Sequence, residues 1–94
     1  MEVPAMFDLS SKVALVSGAS RGIGAATAKI LAEFGAHVIL TSRKAENLEE
    51  VQAQIKNAGN QASAMVCHNG DLAQIESLFE KIRESHGRLD ILVN

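Results

Sequence analysis

The chain has 94 residues, 47% of them hydrophobic and 21% charged, with one proline, one cysteine and three aromatics. That length holds one domain at most; the apolar content is too high for disorder and too often broken by charge for a membrane helix of about 20 apolar residues. A formal net charge of −2 leaves no electrostatic footprint for nucleic acid or an acidic membrane, and neither is expected as a partner.

A single cysteine cannot close an internal disulfide, which fits a reducing compartment and a cytoplasmic location. Residues 1–7 lack a basic stretch followed by an apolar one, so no secretory signal is read there, and Met6 offers an alternative start. Short β-rich apolar runs then alternate with helical stretches, the pattern of an α/β fold with a parallel sheet.

Residues 13–16 (Val-Ala-Leu-Val) form an uninterrupted apolar run, as expected of a central strand buried on both faces. A glycine-rich turn follows, and residues 25–34 read as a helix with Ile30, Leu31 and Phe34 on its apolar stripe. Gly35 stands where a helix ends in a left-handed residue, and residues 38–40 make the second strand. A second helix is expected over 45–58, with Leu48, Val51 and Ile55 at spacings of three and four and Gly59 beyond its end. Glu46, Glu49 and Glu50 read as its solvated, dipole-compatible start.

Residues 64–67 are the third strand, in which Cys67 is read as a small buried residue and not a nucleophile. Asp71 then has the side chain of an N-cap, with Gln74 as capping-box partner. Leu72, Ile75, Leu78, Phe79 and Ile82 supply a third helical stripe, ended near Gly87. His37 and His86 are placed at a strand start and a helix end, and no spacing suggests a metal site. A last apolar run, 91–93, reaches Asn94. Right-handed crossovers order these strands 3-2-1-4, with the first two helices on one face and the third on the other.

The most informative stretch is Ser17-Gly18-Ala19-Ser20-Arg21-Gly22-Ile23-Gly24. A phosphate at a helix N-terminus meets free N–H groups and the positive end of the dipole. Gly18 is assigned to the turn, Gly22 to close approach by a pyrophosphate, and Gly24 to close packing of helix on strand. The spacing G-x-x-x-G-x-G departs from the G-x-G-x-x-G fingerprint, and a glycine turn without ligand is the alternative. Its place between a buried strand and an alanine-rich helix favours nucleotide binding.

This turn resembles the T-G-x-x-x-G-x-G cofactor turn of the short-chain dehydrogenase/reductase family, with Ser17 in the threonine place. Leu89-Asp90-Ile91-Leu92-Val93-Asn94 resembles the segment leading into that family's N-N-A-G motif, with Asn94 as its first asparagine. The resemblance implies a Rossmann-type sheet, a nicotinamide cofactor contacted by Ser17, Gly18, Ser20, Arg21, Gly22, Ile23, Gly24 and Asn94, and hydride transfer with a carbonyl or alcohol. A tyrosine would exchange the substrate proton, assisted by a lysine, a serine and an asparagine. The sequence contains no tyrosine, so no catalytic residue is assigned. The chain is expected to be the N-terminal, cofactor-binding part of one such domain, truncated after its fourth strand, from a homo-oligomeric (dimeric or tetrameric) parent that acts on a ketone or 3-oxo compound.

An Asp or Glu about 20 residues past the glycine turn would hold a free ribose 2′-OH. That place reads Thr41-Ser42-Arg43-Lys44, with no carboxylate. Arg43 offers a paired N–H fork to a 2′-phosphate, Lys44 a point charge, and Arg21 reaches it from the other side. NADP(H) is therefore expected over NAD(H), with Ser42, Arg43 and Lys44 in the site; the alternative is that Arg43 and Lys44 merely begin a solvated helix. After the third strand, His68 and Asn69 replace the Asp-Val pair with which the family contacts adenine. Both are kept as cofactor candidates, His68 equally as a loop histidine closing a strand end. Cys67-His68-Asn69-Gly70 together with Thr41-Ser42-Arg43-Lys44 looks most like the branch of tetrameric carbonyl reductases. A non-catalytic nucleotide sensor and a purely structural fragment are the other functional readings.

Overall fold

A computed structural model describes residues 8–68 and 70–94; residues 1–7, with the signal and start-site readings, and Asn69, with its adenine contact, lie outside the described residues. Strand β1 (Val13–Ser17), helix α1 (Gly22–Glu33), β2 (His37–Ser42), α2 (Leu48–Asn57), β3 (Gln61–Val66), α3 (Leu72–His86) and β4 (Ile91–Val93) follow in chain order. All strand pairs are parallel, in the order β3-β2-β1-β4, as expected for a Rossmann-type α/β sheet. Among the described residues no helix is long and apolar enough to cross a membrane.

Alternation along the central strands divides the core. Ala14, Val16, Val38 and Leu40 pack under α1 and α2, whereas Val13, Leu15 and Ile39 pack with Leu78 and Ile82 of α3. Both faces of β1 and β2 are covered, which is why their sequences are continuously apolar. Gly35, Gly59 and Gly87, the three expected helix stops, all have positive φ.

The helix faces differ from expectation in two places. On α1 the buried positions are Ala25, Ala28 and Ala32, while Ile30 is 53% exposed and Leu31 and Phe34 are half-buried. The cause lies in the turn before it. A Cβ on Gly24 would stand 2.1 Å from the Gly18 carbonyl oxygen and 2.8 Å from its carbon, so helix and turn backbones are in contact and the buried positions of α1 are alanines. On α3, Leu78 and Ile82 are buried, but Leu72 and Phe79 lie on the flank of the stripe and are exposed. At 100° per residue the sheet covers only the strip centred on Leu78 and Ile82.

Boundaries shift for local reasons. Helix α1 begins at Gly22 and not at residue 25, and α2 begins at Leu48 and not at residue 45, because Asn47 adopts a left-handed conformation. Strand β3 starts at Gln61 and ends at Val66, so Cys67 is buried just beyond the strand, its N–H donating to the Ser42 carbonyl at 2.9 Å. Asp71 caps α3 as expected, accepting from the Gln74 N–H at 3.2 Å. The Gln74 side chain does not complete the reciprocal box; its Oε1 accepts from the His68 N–H at 2.8 Å and so fastens the preceding loop. His37 opens β2 and His86 ends α3, and the fold brings their rings together at a 59° tilt with centroids 4.3 Å apart. Burial first, and then His86, pushes the His37 imidazole below its ordinary pKa.

Asp90 docks β4 onto β1. Its Oδ2 accepts from the Val13 N–H at 2.8 Å, and its own N–H donates to the Val13 carbonyl at 2.9 Å. Arg88 donates to both carboxylate oxygens, at 2.8 and 2.7 Å. The Arg88 hydrogen bonds, and then the Val13 N–H, hold the Asp90 carboxyl below the usual carboxylate range.

Two outcomes follow. Gly24→Ala should cost about 2 kcal/mol or more, since the obstructing atoms are backbone and cannot rotate away; it is read as a lower urea midpoint at unchanged slope. Because the folded Asp90 pKa is depressed, its stabilisation is present above the unfolded value near about 4 and is lost as pH falls through the folded value. The urea midpoint should therefore fall as the pH is taken below about 5, and Asp90→Asn should flatten that fall.

Candidate functional site

The carboxyl ends of β1 and β2 open into a cleft of about 780 Å³. One wall is the glycine turn, contributing Ser17, Gly18, Ser20, Arg21 and Gly22; the other is the β2–α2 loop, contributing Ser42, Arg43, Lys44, Glu46 and Asn47. Eight of these ten were expected, and the fold brings the two separate stretches to one place. Parallel pairing does this, because Ser17 is in register with Thr41.

Backbone conformation shapes the first wall. Gly18 and Gly22 have φ of 65° and 61°, and no atom lies within 4 Å of the place where a Cβ would stand on either. The surface over the turn is therefore open to an approaching group, while Gly24 closes the turn from beneath. The Ala19 N–H donates to the Thr41 carbonyl at 3.1 Å, tying the turn to β2. Arg21, at the N-cap of α1, is extended and makes no side-chain cap bond, and the first turn of α1 carries no acid.

The other helices are finished differently. Helix α3 is capped by Asp71, and α2 carries Glu49 and Glu50 in its first turn. Among the described residues only α1 presents an N-terminus that is both uncapped and free of acid, facing a cleft. Its N–H groups and dipole suit an anion, and the open surface over Gly18 and Gly22, where side chains would intrude, fits a dinucleotide pyrophosphate.

On the second wall the Ser42 hydroxyl donates to the Lys44 carbonyl at 2.9 Å and accepts from the Lys44 N–H at 3.2 Å. This local turn holds Arg43 and Lys44 at the strand end, before the helix and not inside its first turn. Glu46 and Asn47 were missed from the sequence. The available signal was Asn47 itself, a residue type that tolerates left-handed backbone, directly before the first buried apolar position of a helix.

Four candidates stand outside the lining. Ile23 is 87% exposed at the start of α1, and Gly24 lies behind the turn. His68 is exposed in the β3–α3 loop, where its Nδ1 accepts from the Gly70 N–H at 3.1 Å. Asn94 follows β4 one residue past the Val16–Val93 pair, at the carboxyl edge of the sheet. Among the described residues no group of three or more His, Cys, Asp or Glu side chains is arranged to hold a metal ion.

Known proteins resemble this chain in sequence and in fold. The family model described as short chain dehydrogenase matches residues 12–94. The fatty acyl-CoA reductase of Acinetobacter baylyi is 45% identical over 87 residues, covering 93% of this chain and 30% of that protein. Dehydrogenase/reductase SDR family member 4 of Mus musculus is 42% identical over 86 residues, covering 92% and 31%. Among solved structures, a metagenomic short-chain oxidoreductase in complex with NADP superposes with a TM-score of 0.86 at 42% identity, over 88% of this chain and 38% of that one. The citronellol catabolism dehydrogenase of Pseudomonas aeruginosa gives 0.90 at 35% identity, over 100% and 38%. The chain spans about a third of the length of the curated relatives it matches. A family match that leaves out only the first eleven residues, on a sheet of the expected order, means that the chain belongs to the short-chain dehydrogenase/reductase family of oxidoreductases.

Proposed function

We propose that the chain binds NADP(H) in the cleft between the glycine turn and the β2–α2 loop, as the cofactor-binding portion of a short-chain oxidoreductase. The observation that carries this reading is the pairing of an uncapped, acid-free α1 N-terminus with Arg21, Arg43 and Lys44 around one cleft. The turn's N–H groups take the pyrophosphate, and the two arginines and the lysine take the adenosine 2′-phosphate. A solved relative that holds NADP supports the assignment. The bound cofactor supplies hydride exchange between its nicotinamide and a carbonyl or alcohol carbon. Asn94, at the carboxyl end of β4, borders the same edge of the sheet.

The parent would act on a small ketone or 3-oxo compound, or on the corresponding alcohol. We place it with the tetrameric carbonyl reductases on Thr41-Ser42-Arg43-Lys44 and Cys67-His68-Asn69-Gly70. A homo-oligomeric state and a cytoplasmic location belong to the same reading, the second supported by the single cysteine. No tyrosine occurs among the 94 residues, so the proton-transfer machinery implied by the family is assigned to no residue here, and residues 1–94 form one part of a single Rossmann-fold domain.

The test is a fluorescence titration with NADPH and NADH. NADPH should bind more tightly, and Arg43→Ala should weaken NADPH by about ten-fold while leaving NADH within about two-fold, the loss of one charge-assisted contact. Equal affinity for the two, or an Arg43→Ala variant with unchanged NADPH binding, would overturn the assignment. In a separate assay, the 94-residue chain by itself should show no NADPH-dependent reduction of carbonyl compounds. Turnover would show that the proton donor lies within it.

A further inference from the structure

A helix over 45–58 would have put Glu46, Glu49 and Glu50 together on one solvated first turn. The fold separates them. Asn47 takes φ 61° and ψ −27°, and across it the Leu48 N–H donates to the Glu46 carbonyl at 2.6 Å. This reversal of γ-turn type delays α2 to Leu48. Glu49 and Glu50 stay in the first turn of α2, whereas Glu46 is left on the cleft wall with Arg43 and Lys44. Among the described residues neither cation forms an ion pair with Glu46. The cleft therefore contains an uncompensated carboxylate beside the cations that face a 2′-phosphate.

We propose that Glu46 is a specificity-determining residue of this cleft. An ionised carboxylate only accepts hydrogen bonds. It can take one from a free ribose 2′-OH, and it repels a 2′-phosphate. Dinucleotide sites that select the unphosphorylated ribose use an acid about 20 residues past the glycine turn. Here the strand end lacks one, and the Asn47 reversal supplies it from the loop. The chain thus retains usable affinity for NAD(H), and its preference for NADP(H) is smaller than Arg21, Arg43 and Lys44 alone would set. The inference rests on the reading of the cleft as a nicotinamide-dinucleotide site.

Direct titration of the full chain with NADPH and with NADH tests it, using wild type, Glu46→Gln and Glu50→Gln. Both variants remove one exposed negative charge from the same region, but only Glu46 lines the cleft. Glu46→Gln should weaken NADH about five-fold and leave NADPH unchanged or tighter, a range set by a hydrogen bond to an exposed charge. Glu50→Gln should move the ratio of the two dissociation constants by less than about two-fold, as expected of a screened charge outside the cleft. An unchanged ratio in Glu46→Gln, or an equal change in Glu50→Gln, would overturn the role of Glu46 while NADPH preference in the wild type stood. A wild type that binds NADH more tightly than NADPH, or binds neither, would overturn the reading of the cleft itself and the role of Glu46 with it.

Discussion

The contact between the backbone of α1 at Gly24 and the Gly18 carbonyl governs much of what this molecule does. A Cβ at that point would stand 2.1 Å from the carbonyl oxygen, well inside any tolerable separation. With hydrogen in its place, the first turn of α1 lies directly on the turn that follows β1. The helix then approaches the sheet so closely that alanines fill the interface, at positions 25, 28 and 32. The same approach points the helix N-terminus, with its unpaired N–H groups, into the cleft above the sheet. One missing side chain therefore sets the packing below the turn and the chemistry above it.

The cleft concentrates a charge pattern that the whole chain does not display. Net charge is slightly negative, yet Arg21, Arg43 and Lys44 converge where β1 and β2 end. Parallel register is responsible, because it brings the residues after each strand to the same edge. The Ser42–Lys44 turn keeps two cations in the loop, and the Asn47 reversal leaves one carboxylate with them. In the proposed cofactor site, selection would be a balance between attraction and repulsion, set by which side of a short loop each charge occupies.

At the opposite end of the strands the forces are structural. Asp90 exchanges hydrogen bonds with both backbone groups of Val13 and is clamped by Arg88, which fixes where β4 starts relative to β1. His37 bonds Ser63 across β2 and β3 at 2.9 Å and meets His86 from α3. These contacts position strand ends and helix ends without touching the cleft. The division follows the general logic of parallel α/β sheets, with ligands at the carboxyl edge and supporting contacts at the amino edge.

Local periodicity was sufficient to read strand count, helix count, the glycine stops and the parallel order, because each rests on residues within a few positions of one another and on the handedness of crossovers. It also exposed the glycine turn and the Arg43-Lys44 pair, whose residue types are unusual enough to stand out singly. Which face of α1 is buried could not be read that way. Ile30 and Phe34 are the more hydrophobic choice, and only the steric limit at Gly24 against Gly18 turns the alanines inward. Leu72 and Phe79 likewise fit the period of α3 and still miss the sheet, whose width is a property of the assembled strands. Glu46 reads as one of three equivalent acids until a left-handed Asn47 sorts it from the others. The sequence by itself determined the elements and their order, since those depend on short-range pattern. Tertiary structure decided which side chains share a face or a cleft, since that depends on close approach between segments far apart in the chain.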